Sequence, residues 1–518
     1  MILNNVVFPG SDGPDQPPSQ LWDIELVDGI IKSIELAEQT SGSCGVGEPS
    51  ADAIASQLFL PTLCHPHLHL DKAYLLTGCC GEAGDEFPSY ADLLPQTGSF
   101  PEALQTTAVA KSRFTAADLR RRGMQLLASS YAQGVTSARV FVEVDAQAAG
   151  RGKTAVAVVA ELQALWKNTL DLQVCAFAQE VLFTGDAGTA NRAAIEEVLR
   201  ENTGSRAGSH KDRVIDVLGV TPYVEAARAL SLQTIDWAVA TALEHDLHLD
   251  LHLDYNLEAC DESEPLIFAL VEALVRHKWT ERTEQTQAET RAHRTVAVGH
   301  ATQLTRLPPD ELRRLATLIQ ANHLPIHLVG LPTSDLYMMG RQPDAAVSSS
   351  AAATSPPRGT LNVVSLARDY GLRTCLGINN VGNAFTPYGT GDPLQLACWG
   401  VGLYHAGGAG DAEALYGKIS WAARAAIGLA RDRDAGSGDT GGAAYEQSLA
   451  VGTNVGRALV VANPRWVTLP PALAEARTKT PPTPARPRRG FRDVVWDPPD
   501  GILMVEGQVR IRVSQMIR

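Results

Sequence analysis

Three histidines stand at alternate positions in the stretch LFLPTLCHPHLHLDK, at His65, His67 and His69, behind the apolar run Leu58, Phe59 and Leu60. Alternation at period two is what a β-strand offers, so all three rings can face one way. Imidazoles gathered at the end of an apolar strand make a costly core, because each needs a hydrogen-bond partner. They make a natural cradle for a divalent ion. Further ligands must then come from elsewhere, and two later segments offer them. HLDLHLDYN sets His248, Asp250, His252 and Asp254 on one face of an alternating run, and VAVGH puts His300 at the tip of an apolar one. Any one of these is a weak signal, whereas an HxH with two later histidines at strand ends is a specific one. His248 and His327 lie earlier in their runs and read as structural; His245, His277, His293, His323 and His405 read as surface or satisfied residues.

Such a constellation needs a scaffold that brings strand ends together. Eight strand-like segments occur between residues 58 and 445, at 58–64, 135–144, 172–179, 214–221, 248–252, 295–299, 325–329 and 374–378. Helical patterns such as TAVAVVAELQALWKN and TIDWAVATALEHD lie between most of them. Strands this apolar suit burial on both faces, and eight βα units predict an α/β fold, a closed (β/α)8 TIM-like barrel. A doubly wound open sheet is the alternative; it wants a GxGxxG turn after an early strand, and none occurs there. In a barrel the chemistry sits at strand ends. The third strand delivers Gln179 and Glu180 there, and the eighth delivers Asn379 and Asn380.

Both termini read as β structure. LWDIELVDGIIKSIEL is a hairpin pivoting on Asp28 and Gly29, and ALVVANPRW and DGILMVEGQVRIRV follow the barrel region. The expected organisation is therefore 1–57 and 446–518 as β segments flanking a barrel at 58–445. A Pro- and Arg-rich loop falls at 477–489, and long loops at 38–56, 146–154, 202–212, 342–358 and 433–443. A net charge of -14 and a pI near 5.4 speak against nucleic acid or an anionic membrane as the main partner. The eight cysteines are scattered without CxxC pairs, as suits reduced thiols. With no secretory signal and no apolar run of membrane-spanning length, the expectation is a cytoplasmic protein.

HPHLHLDK, FAQE, LHLD, the GH at 299–300, LPTSDLYMMGR and GINNVGNAFTPYGTGDPLQLA resemble, in order, the motifs of the amidohydrolase superfamily, in its branch of cytosine deaminase and N-isopropylammelide amidohydrolase. The resemblance spans the barrel and implies that the terminal segments pack as one small β-sandwich beside it. It implies one divalent ion, Zn(II) or Fe(II), with His67, His69 and His252 as ligands. His300 would polarise or deprotonate the attacking water. Gln179 and Lys72 would hold a small-molecule substrate, and Phe385 would line the pocket. A homo-oligomer is a further implication.

The sequence also departs from that pattern. Asn379 occupies the place of an aspartate that ligates the ion and takes the water's proton; an amide oxygen can coordinate but is a very poor base. Tyr255 occupies the place of a proton-shuttling glutamate, and Phe141 that of a histidine. Asp254, Asp71 and His65 are candidate substitutes. The expected activity is metal-dependent hydrolysis of a non-peptide C–N bond in a small cyclic amide or amidine. The alternative is a catalytically weakened homologue that retains small-molecule binding.

Overall fold

The computed structural model describes residues 1–9, 20–37, 54–77, 84–146, 151–203, 213–255, 257, 264–290, 294–340, 358–408, 410–429, 449–467, 483–499, 501–506 and 509–512. The expected loop at 433–443 lies outside these residues, as do most of those at 38–56, 202–212 and 342–358, and Cys44, Cys79, Cys80, Cys260 and His293. Residues 54–56 belong to a strand and 151–154 to a helix rather than to the loops expected there.

The described strands form two sheets. β1 (Ile2–Val7), β2 (Trp22–Val27), β3 (Ile30–Leu36) and β4 (Ile54–Pro61) join β13 (Arg457–Pro464), β14 (Leu503–Glu506) and β15 (Val509–Arg512) in the order β15-β14-β13-β4-β1-β2-β3. The β2–β3 hairpin turns on Asp28 and Gly29, both at positive φ (51° and 73°), as a two-residue hairpin turn requires. Its β3 edge folds back onto the chain before β13, through Ile31 N to Thr453 O and Gly452 N to Ile31 O. A sheet curled in this way encloses its own core of Leu3, Ile24, Leu26, Phe59 and Val460.

The second sheet is the barrel. β5 (Leu63–His69), β6 (Val135–Glu143), β7 (Asp171–Ala178), β8 (Ile215–Val220), β9 (His248–Leu253), β10 (Val296–His300), β11 (Ile326–Gly330) and β12 (Thr374–Leu376) pair in parallel, each with its sequence neighbour. Closure is made by a bridge from Leu68 to Asn379, where His69 N donates to Asn379 O and Asn379 N to His67 O. Every residue of β6, β9 and β10 is buried, because helices cover the outside while side chains fill the inside. Under the barrel, Ala423, Ala426 and Ile427 pack against Cys64, Val329 and Cys375 and plug its lower end.

One expected strand divides between the sheets. In 58–64, Leu58 to Pro61 pair with β1 and β13, and the barrel strand begins only at Leu63. Period-two alternation explains how β4 serves both cores: Leu58 and Leu60 face the barrel's cluster while Phe59 faces that of the curled sheet. Among the described residues no helix is long and apolar enough to cross a membrane.

Candidate metal centre and cavity

The three histidines of β5 do not share a face. The pairing of β5 with β6 slips between His65 and Leu68, where Pro66 supplies no backbone N–H, and the slip breaks the alternation. His67 and His69 point into the barrel; His65 Nε2 meets Ser130 Oγ at 3.2 Å in the helix Ala116–Ala132. Burial pushes the His65 imidazole down to about 3.

His67 and His69 meet His252, from β9. Their Nε2 atoms lie 3.1 and 3.3 Å from His252 Nε2, with all three rings buried. A tetrahedral ion bound at about 2.05 Å by imidazole nitrogens would hold them roughly 3.3 Å apart. Without an ion the arrangement is poor, since one nitrogen cannot serve two others that each need a hydrogen and a lone pair placed correctly. The residues present therefore fit a divalent ion. The floor is aromatic: Phe141 lies 4.1 Å from the His67 ring and 4.9 Å from the His69 ring, and Phe177 lies 4.5 Å from that of His252. Burial in this setting pushes all three imidazoles below their ordinary range, which keeps them neutral and able to ligate.

His300 ends β10 at φ 68°, and Asn379 follows β12 at φ 67°; both are left-handed conformations that bend the strand tip. His300 Nδ1 is 2.6 Å from Asp335 Oδ1, and Thr360 Oγ1 donates to Asp335 Oδ2 at 2.7 Å. Asp335 is fully buried in the short helix Pro332–Met338. Asn379 Oδ1 is buried without a hydrogen-bond partner. His69, His252, His300, Asn379 and Asn380 line one cavity.

Lys72, Gln179, Tyr255 and Phe385 line the same cavity. Lys72 Nζ sits 4.8 Å above the Phe385 ring and forms a buried ion pair with Glu143. Lys111 joins the pair, 2.8 Å from Glu143 and 2.6 Å from Asp145. Burial pushes the Glu143 carboxyl up, but Lys111 and Lys72 outweigh it and hold it at about 2. The Tyr255 ring lies 4.6 Å from that of His300 and stacks on Tyr223 at 5.9 Å. Phe100 closes the circle, 5.7 Å from Tyr255 and 5.9 Å from Phe385. The cavity they line has room for a water.

Asp254 departs from expectation. Its φ of 48° ends the alternation of β9, and its two oxygens accept the backbone N–H groups of Leu266 (2.7 Å) and Ile267 (3.0 Å), at the start of the helix Leu266–Arg276. It caps a helix and does not line the cavity. Asp71 likewise turns aside to accept Glu143 N at 2.8 Å. His248 bonds Thr295, as a structural histidine would. Among the contributors the sequence reading missed, Glu143, Tyr223 and Asp335 lie at or just beyond the ends of the second, fourth and seventh strands, where the strand-tip rule could have found them. Phe100 begins a helix far from any strand and gave no such signal.

No protein-family model matches this sequence, and neither does any curated protein. Solved structures do match. A 5-methylcytosine deaminase from Klebsiella pneumoniae, liganded with phosphonocytosine, is 20% identical, with a TM-score of 0.60 over 82% of this chain and 87% of that one. An N-isopropylammelide isopropylaminohydrolase from Burkholderia multivorans is 17% identical, with a TM-score of 0.58 over 99% of this chain and 98% of that one. The chain has the fold of these enzymes, barrel and flanking sheet together.

Proposed function

We propose that this chain is a metal-dependent hydrolase of the amidohydrolase superfamily, acting on a C–N bond of a small cyclic amide or amidine. The observation that carries the reading is the convergence of three neutral imidazole Nε2 atoms at the barrel's strand ends, where His69, His252 and the Asp335-bound His300 line one cavity. The two similar structures act, by their names, on 5-methylcytosine and N-isopropylammelide, which are small rings of this kind.

His67, His69 and His252 would hold one Zn(II) or Fe(II), with the Asn379 amide oxygen facing the same cavity. Such an ion supplies Lewis acidity, enough to bring an attacking water to a pKa of about 7. The chain's own groups do the rest. Asp335 fixes His300 through Nδ1 and leaves Nε2 to exchange a proton with water, substrate or leaving amine. Lys72 and Gln179 hold polar edges of the ring, while Tyr255 and Phe385 cover its faces. Asn379 carries no charge and accepts no proton near neutral pH, so it contributes neither a base nor an anionic ligand.

Asn379 and Tyr255 also favour a second reading, a weakened enzyme that binds its ligand and turns it over poorly. Metal analysis of the purified protein, with a panel of pyrimidines, triazines, hydantoins and creatinine-like rings, separates the two. The first reading expects near-stoichiometric Zn or Fe and release of ammonia or amine by the wild type. A well-folded protein that stays metal-free would sink it. Activity that appears only in the variant carrying Asn379→Asp and Tyr255→Glu would establish the second.

A further inference from the structure

Beneath the imidazoles lies a charged pair that the proposed chemistry does not use. Arg139 on β6 and Asp250 on β9 are fully buried, and Arg139 Nη1 donates to Asp250 Oδ2 at 2.9 Å. The guanidinium is fixed on its other edge, where Nε and Nη2 both donate to Gln173 Oε1 at 3.2 Å. Gln173 is fixed in turn, its amide donating to Ile427 O at 2.6 Å in the plug below the barrel. Asp250 is therefore held in one orientation, with its second oxygen turned toward His67. Asp250 Oδ1 lies 3.5 Å from His67 Nδ1, and neither atom has a hydrogen-bond partner.

Two unpartnered buried polar atoms facing each other are costly, and one hydrogen serves both if it sits on Nδ1. A neutral imidazole has a single N–H. With that hydrogen on Nδ1, Nε2 presents a bare lone pair toward His69 and His252. The ring has little freedom to turn away. Phe141 packs at 4.1 Å, and the ring fills the space a side chain would need at position 299, where a Cβ on Gly299 would come within 3.1 Å of Cε1. Nδ1 of His69 and of His252 also lack partners, but among the described residues no carboxylate pairs with either. Of these three, His67 alone has a carboxylate against its Nδ1 among the described residues.

We infer that Asp250, anchored by Arg139, is the positioning residue of the metal centre: it locks His67 in the Nδ1–H tautomer and places a negative charge behind a ligand set in which Asn379 has none. The inference rests on the proposed three-histidine site. In the sequence its signal is the DLH of HLDLHLDYN, which puts Asp250 one alternation before His252 on the inner face of the same strand.

Two measurements test it. In metal-free wild-type protein, heteronuclear NMR of labelled histidines, with His67 assigned through His67→Gln, is expected to show the hydrogen on Nδ1; finding it on Nε2 overturns the inference. Zn(II) affinity, measured by competition with a chromophoric chelator, is expected to weaken by about 10- to 100-fold in Asp250→Asn, the range for partners that orient ligands. Unchanged affinity in a variant with wild-type circular dichroism overturns it as well. Because Asp250→Asn leaves Arg139 without its counter-charge, it could fail to fold; the tautomer in the wild type then decides alone. A wild type that takes up no Zn(II) would count against the metal site, while the metal-free spectrum still judges the Asp250 contact.

Discussion

At the barrel mouth, three imidazoles from the opposite strands β5 and β9 rest on the rings of Phe141 and Phe177. Beside them, His300 is clasped by the carboxylate of Asp335, and Asn379 is tied by its backbone into the closure of the barrel. The first group prepares ligands by desolvation. An apolar floor disfavours imidazolium, so the rings stay neutral with their lone pairs available. The second, which the proposed function assigns to proton transfer, pairs charge rather than excluding it. Where the resemblance leads one to expect an aspartate at position 379, the chain has an amide; its buried carboxylates stand one contact further out, on His300 and behind His67. Negative charge stands behind the residues that line the cavity and not among them.

Three experiments would break or sharpen that contrast. The largest effect is expected from His252→Ala, since His252 Nε2 is the atom both other nitrogens approach. Metal content should fall from about one equivalent to background, and turnover with it. Retention of the ion would move the metal centre away from these rings. Next comes Asp335→Asn. Turnover should drop by about 10² to 10⁴, the range for acid–base groups, while metal content stays at the wild-type level. Loss of metal in that variant would mean that the two groups are not separable.

The smallest effect concerns stability of the metal-free protein. His65 and His327 are pushed down to about 3 by burial, whereas an unfolded histidine titrates near about 6.5. Between those values the unfolded chain binds protons that the folded one refuses. The contribution is therefore fully present above pH of about 6.5 and falls with acidification, by at most about 1.4 kcal/mol per pH unit for each histidine. His67, His69, His248 and His252 are lowered too and act in the same direction. Asp71 and Asp254, raised to about 6 by burial, oppose them between about 6 and 4, because there the folded chain binds the proton first. Glu180, Asp216 and Asp392 are raised by burial as well, but the six histidines outnumber the five carboxyls, so the urea midpoint should be lower at about pH 5 than at about pH 7. An equal or higher midpoint at the lower pH would mean that the rings are not held neutral.

Much of this was legible in the residues. Seven of the eight barrel strands stand where apolar runs predicted them, and the HxH, HLDLH and GH motifs named the four histidines that the structure brings together without help from the fold. The misreadings share a cause. Period-two reasoning assumes an unbroken strand, and it failed where backbone geometry interrupts one: at Pro66, which parts His65 from His67, and at Asp254, whose positive φ swings the carboxylate onto a helix start. The first barrel strand was misplaced because one apolar run, divided at Thr62, feeds two sheets.

By itself, then, the sequence determined which chemistry was available: neutral nitrogen ligands at strand ends, a lysine and amides nearby, and an asparagine and a tyrosine where acids were expected. Those are matters of residue type and of spacing along a strand, and both are local. Only the tertiary structure decided which atoms meet. The convergence of His67 and His69 on His252, the clasp of Asp335 on His300, the aromatic collar begun by Phe100 and the Asp250 carboxylate behind His67 join segments from 35 to 285 residues apart. Contacts over such separations depend on barrel closure and strand register, which no local pattern encodes.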